Sequence, residues 1–398
     1  MGRISVPLLC CLIPLLGGCL PSWATLRRRA LPSVPPAVQT TMISVEVPQP
    51  VRPARHVLAL SGGGSYGAFT SGVLSGWSRS NNRPEFDVVT GISTGALIAP
   101  MAFLGPAYDY ELKKFYTEVS AQDVFSIRSI VTIPFRESVA RLGPLRSILE
   151  ANLTPEVLAA IAAEHRKGRR LYVATTNLDS RKMVTWDIGA MACSGGENSA
   201  KLIHDVILAS ASVPGLFPPV PIEVEIDGKL RKENHVDGGV AAPLFVPAGL
   251  IESAPPGVQV YAIVAGKLYP STDPVPTRVL KVIAASGVAL MHSYTRSEVV
   301  GLARRTQVVG GDFHLSYLRQ DFKATDNGVQ FHTDEMNRFF VEGVKVGLGP
   351  ANVGPGWSSL PHEAEAEEPS DIRTGARFRT SLVAPHLPPT NTPPAKLP

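Results

Sequence analysis

Ser93 is the centre of Gly91-Ile92-Ser93-Thr94-Gly95, a G-x-S-x-G pattern set between an apolar strand-like run, Phe86 to Thr90, and a helical run, Ala96 to Leu104. A serine on a tight strand-to-helix turn is pushed toward the mouth of a site, and the doubling back of the chain demands small neighbours such as Gly91 and Gly95. The helix N-terminus behind it favours developing negative charge. That is the setting of a nucleophile elbow. The plain alternative is a turn whose serine caps a helix. An activated serine needs a base, most often a histidine held by an aspartate. The chain has nine histidines. His204, His235, His292 and His314 lie in helix-like or strand-like stretches that suit structural or exposed roles better than catalysis.

Two further stretches carry chemistry. In LALSGGGSYGAF, Leu58 to Phe69, an apolar strand runs into a glycine loop and then a helix, and Gly62, Gly64 and Gly67 fit G-x-G-x-x-G. Such a loop can hold a nucleotide phosphate at a helix N-terminus or some other anion, including the oxyanion of an ester under attack. A dinucleotide site wants an acid at the far end of the second strand. Asp87 sits instead at the near end, and the far end leads to Gly91 and Ser93. Asp237 lies at a strand end in HVDGGVAAPLFV, before Gly238 and Gly239. Asp-Gly is a common turn pair, as in Asp227-Gly228, but an apolar segment follows Asp237 rather than a returning alternating strand.

The glycine loop, the G-x-S-x-G turn, ASASVPGLFPPV (Ala209 to Val220) and Asp237-Gly238-Gly239 occur in an order that resembles the patatin-like phospholipase family. The resemblance covers roughly residues 55 to 245. It implies a three-layer α/β fold, with a central, mostly parallel sheet flanked by helices. It also implies a Ser-Asp dyad without histidine: Ser93 as nucleophile and Asp237 as general base. The oxyanion hole falls on the loop Gly62, Gly63, Gly64, Ser65 and Gly67, with the N–H groups of Gly63, Gly64 and Ser65 as donors. No cofactor or metal is implied. One position departs from the pattern. The family usually carries Arg or Lys where this chain has Tyr66. A cation there would fix the loop or engage a headgroup phosphate, so its absence makes neutral esters and lysolipids more credible substrates.

The elements that must position these residues alternate along the chain. Strands are expected at His56–Leu60, Phe86–Thr90, Leu171–Thr175 and Val258–Ala265. Lys182–Ile188 reads as an antiparallel strand, and Val224–Ile226 with Lys229–His235 as a hairpin about Asp227-Gly228. Helices are expected at Gly67–Ser78, Ala96–Leu104, Ala200–Ala211, Pro276–Arg304 and Thr333–Val346. This alternation argues a layered α/β fold around a mostly parallel sheet.

The 398 residues divide into a signal peptide at 1–18, an extended tether at 19–53, a hydrolase domain at 54–348 and a Pro-rich tail read as disordered at 349–398. Arg3, the short apolar run Val6–Leu16 and Leu16-Gly17-Gly18-Cys19 resemble an export signal with a lipobox. They point to an outer-membrane or cell-envelope lipoprotein lipidated at Cys19. Cleavage after Ala24 is the alternative and leaves a periplasmic or secreted protein. Cys193, alone in the body of the chain, sits in MACSGGENS, which reads as a surface loop. The formal charge of +4 is small for this length, and no nucleic-acid footprint is present. The expected partners are a lipid or ester substrate and a membrane surface reached through the anchor. A catalytically weak lipid-binding or scaffold lipoprotein of the same fold, and a nucleotide-binding protein, are the competing readings.

Overall fold

The computed structural model describes residues 53–349, apart from 125, 128–137, 227–228, 271–273, 325–327 and 329–330, together with 357–358. The signal, Cys19, nearly all of the tether, most of the tail and Asp227-Gly228 lie outside the described residues. Eight strands form the main sheet. They are β1 (His56–Leu60), β2 (Val88–Gly91), β5 (Arg170–Asn177), β6 (Lys182–Asp187), β7 (Val220–Ile226), β8 (Lys229–Asp237), β9 (Gln259–Val264) and β10 (Asp312–Tyr317). A separate short ladder pairs β3 (Ser126–Ile127) with β4 (Ala140–Arg141). The order across the sheet is β10-β9-β1-β2-β5-β8-β7, with β6 also on β5. The pairs from β10 to β5 are parallel, and β6, β7 and β8 join antiparallel.

Both faces of the sheet are covered, which explains why β1 from Val57 to Leu60 and β5 from Leu171 to Ala174 are continuous apolar runs rather than alternating ones. Leu58, Leu60, Val89, Leu171, Val173 and Ile263 pack on one face. Above them lie α1 (Gly67–Arg79), α2 (Thr94–Leu104), α3 (Asp109–Thr117) and the helices Gly196–Ser210 and Thr333–Leu348. Val57, Ala59, Val88, Tyr172, Ala174 and Ala262 pack on the other face, against Leu244, Leu250, Val299 and Leu302. The expected layering is therefore present. Helices Asp109–Thr117, Gly143–Asn152 and Pro155–Arg166 were not among the expected elements. The last begins with a cap signal that could have revealed it: the Thr154 side chain accepts from the Val157 N–H, and Pro155 opens the first turn.

The glycine loop is anchored from the far end of the domain. A Cβ at Gly72 or Gly76 of α1 would fall 2.1 Å from the Phe340 carbonyl or 2.4 Å from that of Val344. A Cβ at Gly343 or Gly347 would fall 2.1 Å from the carbonyl of Phe69 or Val73. The two helices thus pack backbone against backbone. Glycine inside a helix costs about 1 kcal/mol relative to alanine, and this close packing offsets it. Two residues of the stretch read as tail are also seated on the domain. Trp357 meets Trp77 at 4.7 Å between ring centroids, and Ser358 exchanges two 2.8 Å backbone hydrogen bonds with Leu315.

The topology brings the two chemical strand ends together. The hairpin partner β6 occupies one edge of β5 along Tyr172–Asn177. On the other edge, β2 pairs with Arg170 to Val173, and β8 pairs with Thr175 to Asn177. Because β2 runs parallel to β5 and β8 antiparallel, their C-terminal ends meet head to head. Gly91 lies opposite Val173, and Asp237 lies opposite Thr175. The site therefore forms beyond the carboxyl ends of the parallel strands, where open α/β sheets place their ligands.

Candidate active site

Ser93 leaves β2 in a conformation that side chains rarely adopt, with φ 55° and ψ −123°. Such a backbone costs on the order of 1–3 kcal/mol and persists only where surrounding contacts enforce it. The enforcing contacts are visible. A Cβ at Gly91 would sit 2.4 Å from the Gly95 carbonyl, and one at Gly95 would sit 2.5 Å from that of Leu60. Only glycine fits on either side of the serine. The Ser93 N–H donates to Ser210 Oγ at 3.0 Å, and the Ser210 hydroxyl donates in turn to the Ala174 carbonyl at 2.7 Å.

The Ser93 hydroxyl donates to Asp237 Oδ2 at 2.6 Å. The other carboxylate oxygen, Oδ1, accepts the Gly239 N–H at 2.7 Å. Asp237 is held through its backbone as well. Its N–H donates to the Ser212 carbonyl at 2.9 Å, and its carbonyl accepts the Thr176 hydroxyl at 2.9 Å. Burial pushes the Asp237 carboxyl up to about 6, against the lowering pull of the Ser93 and Gly239 hydrogen bonds. A buried carboxylate with raised proton affinity, in contact with a hydroxyl on a strained turn, is arranged to take up and return a proton near neutral pH.

The glycine loop closes the third side. A Cβ at Gly62 would lie 3.1 Å from Ser93 Cβ, so the loop touches Ser93 itself. The Gly62 N–H donates to the Pro243 carbonyl at 3.2 Å, and the Ser65 N–H donates to the Gly328 carbonyl at 3.0 Å. The N–H groups of Gly63 and Gly64 meet no acceptor among the described residues. The structure thus narrows the candidate anion donors, and Ser65 leaves the expected set because its N–H is already satisfied. Gly64 has φ +58°, and a Cβ there would fall 1.8 Å from the Gly328 carbonyl, so the loop is shaped by a segment distant in sequence.

Residues 58–249 match the family model described as patatin-like phospholipase. The chain carries a patatin-like phospholipase domain. It is 30% identical over 210 residues to patatin-like protein 2 of Oryza sativa subsp. indica, covering 47% of this chain and 49% of that protein. It is 39% identical over 84 residues to a cGAMP-activated phospholipase of Pseudomonas aeruginosa, covering 20% of this chain and 24% of that protein. Among solved structures, VipD from Legionella pneumophila aligns over 75% of this chain and 70% of its own, at 12% identity and a TM-score of 0.35. The chain spans about half the length, or less, of these curated relatives. The family match ends before β9, yet β9 and β10 complete the sheet and helix Thr333–Leu348 anchors α1. The folded unit that carries the match therefore runs well past the matched residues.

Among the described residues the partner of the Ser93 hydroxyl is Asp237, and the histidines placed by the structure have partners of their own. His235 is buried, with Nδ1 at 2.8 Å from Thr175 Oγ1 and Nε2 at 3.3 Å from Glu233. Burial lowers its proton affinity. His204 Nε2 meets the Leu153 carbonyl at 3.0 Å, and His314 Nε2 meets Gln259 at 2.8 Å. Asp87 serves the start of the sheet, where its Oδ2 accepts the N–H groups of Arg55 and His56 at 2.7 and 2.9 Å.

Tyr66 packs its ring on Phe339 at 4.7 Å between centroids, beside Gly266 and Gly328. Aromatic packing here fixes the loop. Cys193 lies in helix Ile188–Ser194 rather than a surface loop, half-buried, with its thiol 3.5 Å from the Ala162 carbonyl. Asp187 caps this helix by accepting the Ala190 N–H, and Gly195 at φ 66° ends it.

Ser210, Ser212 and Thr176 are the supporting residues that sequence reasoning did not assign. Ser210 and Ser212 belong to the ASASVPGLFPPV block: Ser210 holds the Ser93 N–H with its hydroxyl, and Ser212 holds the Asp237 N–H with its backbone carbonyl. Ser210→Ala strips the Ser93 N–H of its buried acceptor. It is expected to cost about 1–3 kcal/mol in chemical denaturation and to lower kcat for ester hydrolysis more than it raises KM.

Proposed function

We propose that this protein is a serine acyl hydrolase that cleaves fatty-acyl esters of phospholipids or lysolipids through Ser93 and Asp237. The observation that carries this reading is the 2.6 Å Ser93–Asp237 hydrogen bond on a left-handed elbow. As the Ser93 oxygen attacks the acyl carbonyl, its proton passes to Asp237 Oδ2. The tetrahedral oxyanion is received by the Gly63 and Gly64 N–H groups, which are unengaged among the described residues. Collapse of the intermediate breaks the ester bond, and Asp237 returns the proton to the departing alcohol or lysolipid. Water then attacks the acyl-serine. Asp237 takes a water proton and delivers it to Ser93 as the fatty acid leaves. A preorganised oxyanion donor is worth about 10²–10³ in rate, and the short distance between acid and hydroxyl supplies proximity.

Hydrolysis of a panel of phospholipids, lysolipids and short-chain esters by the parent and by Ser93→Ala tests the reading. Activity that disappears with the hydroxyl supports it, and undiminished activity overturns it. The lipoprotein part of the proposal rests on Leu16-Gly17-Gly18-Cys19. Radiolabelled palmitate incorporated by the parent, and lost in Cys19→Ser, supports it. Equal labelling of both overturns it.

A further inference from the structure

The dyad makes no use of the long helix Val279–Val308. Its C-terminal half is seated on the domain, with Val299, Leu302 and Ala303 buried. Its N-terminal half stands in solvent: Val279 is 75% exposed, Val282 45%, Ile283 62% and Leu290 69%. At helical spacing these four positions fall on one stripe. Single exposed apolar residues are ordinary surface. Here, however, six of the sixteen large apolar residues exposed among the described residues fall between Val279 and Met291. The sequence from Pro274 to Ser297 contains no Asp or Glu, whereas Arg278, Lys281 and Arg296 are basic.

This half-helix is joined to the site. The Tyr294 hydroxyl donates to the Ala241 carbonyl. Met291 Cε lies 3.9 Å from the Cβ position at Gly239, the residue whose N–H holds Asp237. Val240, between Gly239 and Ala241, is itself half exposed. The apolar stripe thus extends outward from the rim beside Asp237. We propose that it docks on a lipid surface, with Val279, Val282, Ile283 and Leu290 in the acyl boundary and the basic residues at anionic headgroups. The absence of carboxylates from this stretch is what selects a lipid surface over a solvated face. No helix among the described residues is long and apolar enough to cross a membrane, and this one would lie along the interface. Docking of this kind delivers ester lipids to the dyad, and in that sense it rests on the function proposed above.

The test uses the full chain carrying Cys19→Ser, which removes the other proposed membrane attachment, and Ser93→Ala, which stops turnover. Flotation with phosphatidylcholine–phosphatidylglycerol vesicles is compared with and without Val279→Asp, Ile283→Asp and Leu290→Asp together. The triple substitution is expected to weaken binding about tenfold or more. With Ser93 restored, it is expected to leave hydrolysis of a water-soluble short-chain ester within about twofold while vesicle-lipid hydrolysis falls about tenfold. The single variant Ile283→Trp is expected to gain fluorescence that acyl-brominated lipid quenches. Unchanged vesicle binding, or no added quenching in Ile283→Trp, overturns the proposal. So does a parent dimer that the triple substitution dissolves without altering vesicle binding, since the stripe would then cover a second copy. A parent that hydrolyses no ester refutes the dyad reading instead, and the flotation result still decides the docking.

Discussion

Asp237→Asn is expected to lower kcat/KM for ester hydrolysis at pH 8 by about 10³–10⁴-fold while making the fold more stable. Both effects come from one buried carboxyl. Asparagine keeps the shape and the Gly239 hydrogen bond, but it cannot take the Ser93 proton. The stability effect follows from linkage. Folding raises the Asp237 carboxyl from its ordinary 3.8 to about 6. Between those values the folded chain holds a proton that the unfolded chain has released, so stability declines as pH rises through this window. Above it the folded state carries a penalty of about 3 kcal/mol, which is absent below about pH 4. The substituted amide does not titrate, so thermal denaturation should show the variant gaining at pH 8 and not at pH 4. An Asp237→Asn chain with no gain at pH 8 would show that the carboxyl is not under strain. The same ionisation sets the activity profile: kcat/KM of the parent should fall about tenfold per pH unit below about 6, because the base must be ionised to accept a proton.

Ser93→Ala is expected to remove at least about 10⁴-fold of kcat/KM while leaving a folded chain. The Ser210 and Gly91–Gly95 contacts that impose the turn do not involve the hydroxyl. His235→Gln serves as the contrast. Its ring lies in the β5–β8 seam with Thr175 and Glu233, so the substitution is expected to reduce stability and to leave kcat within about tenfold of the parent. The reverse ranking, a dead His235→Gln and an active Asp237→Asn, would move the base from the aspartate to the histidine.

The parts of this site that were legible in the sequence are those where backbone geometry dictates residue type. Gly91 and Gly95 are required by carbonyls within 2.5 Å of a would-be Cβ, and such steric demands are written locally. Asp237-Gly238-Gly239 was visible for a similar reason. The pairing of Ser93 with Asp237 came only from the resemblance, because it depends on two strands meeting on one edge of β5, a tertiary event. The roles of Ser210 and Thr176 were invisible, since a side chain that bonds a distant backbone leaves no spacing pattern. The loop was only half legible. Its glycines were evident, but which N–H groups are free depends on Pro243 and Gly328, far along the chain. The packing of Tyr66 was not legible either, because Phe339, Gly266 and Gly328, which lie against its ring, are distant in sequence.

Reaction with a fluorophosphonate tests the Ser93–Asp237 dyad most directly, because that reagent modifies only an activated serine and leaves a stable mass tag. A single adduct is expected on the peptide carrying Ser93, absent in Ser93→Ala and strongly slowed in Asp237→Asn, with the rate in the parent falling below about pH 6. An adduct on a different serine, or a parent that hydrolyses esters while Ser93 stays unmodified, would contradict the dyad.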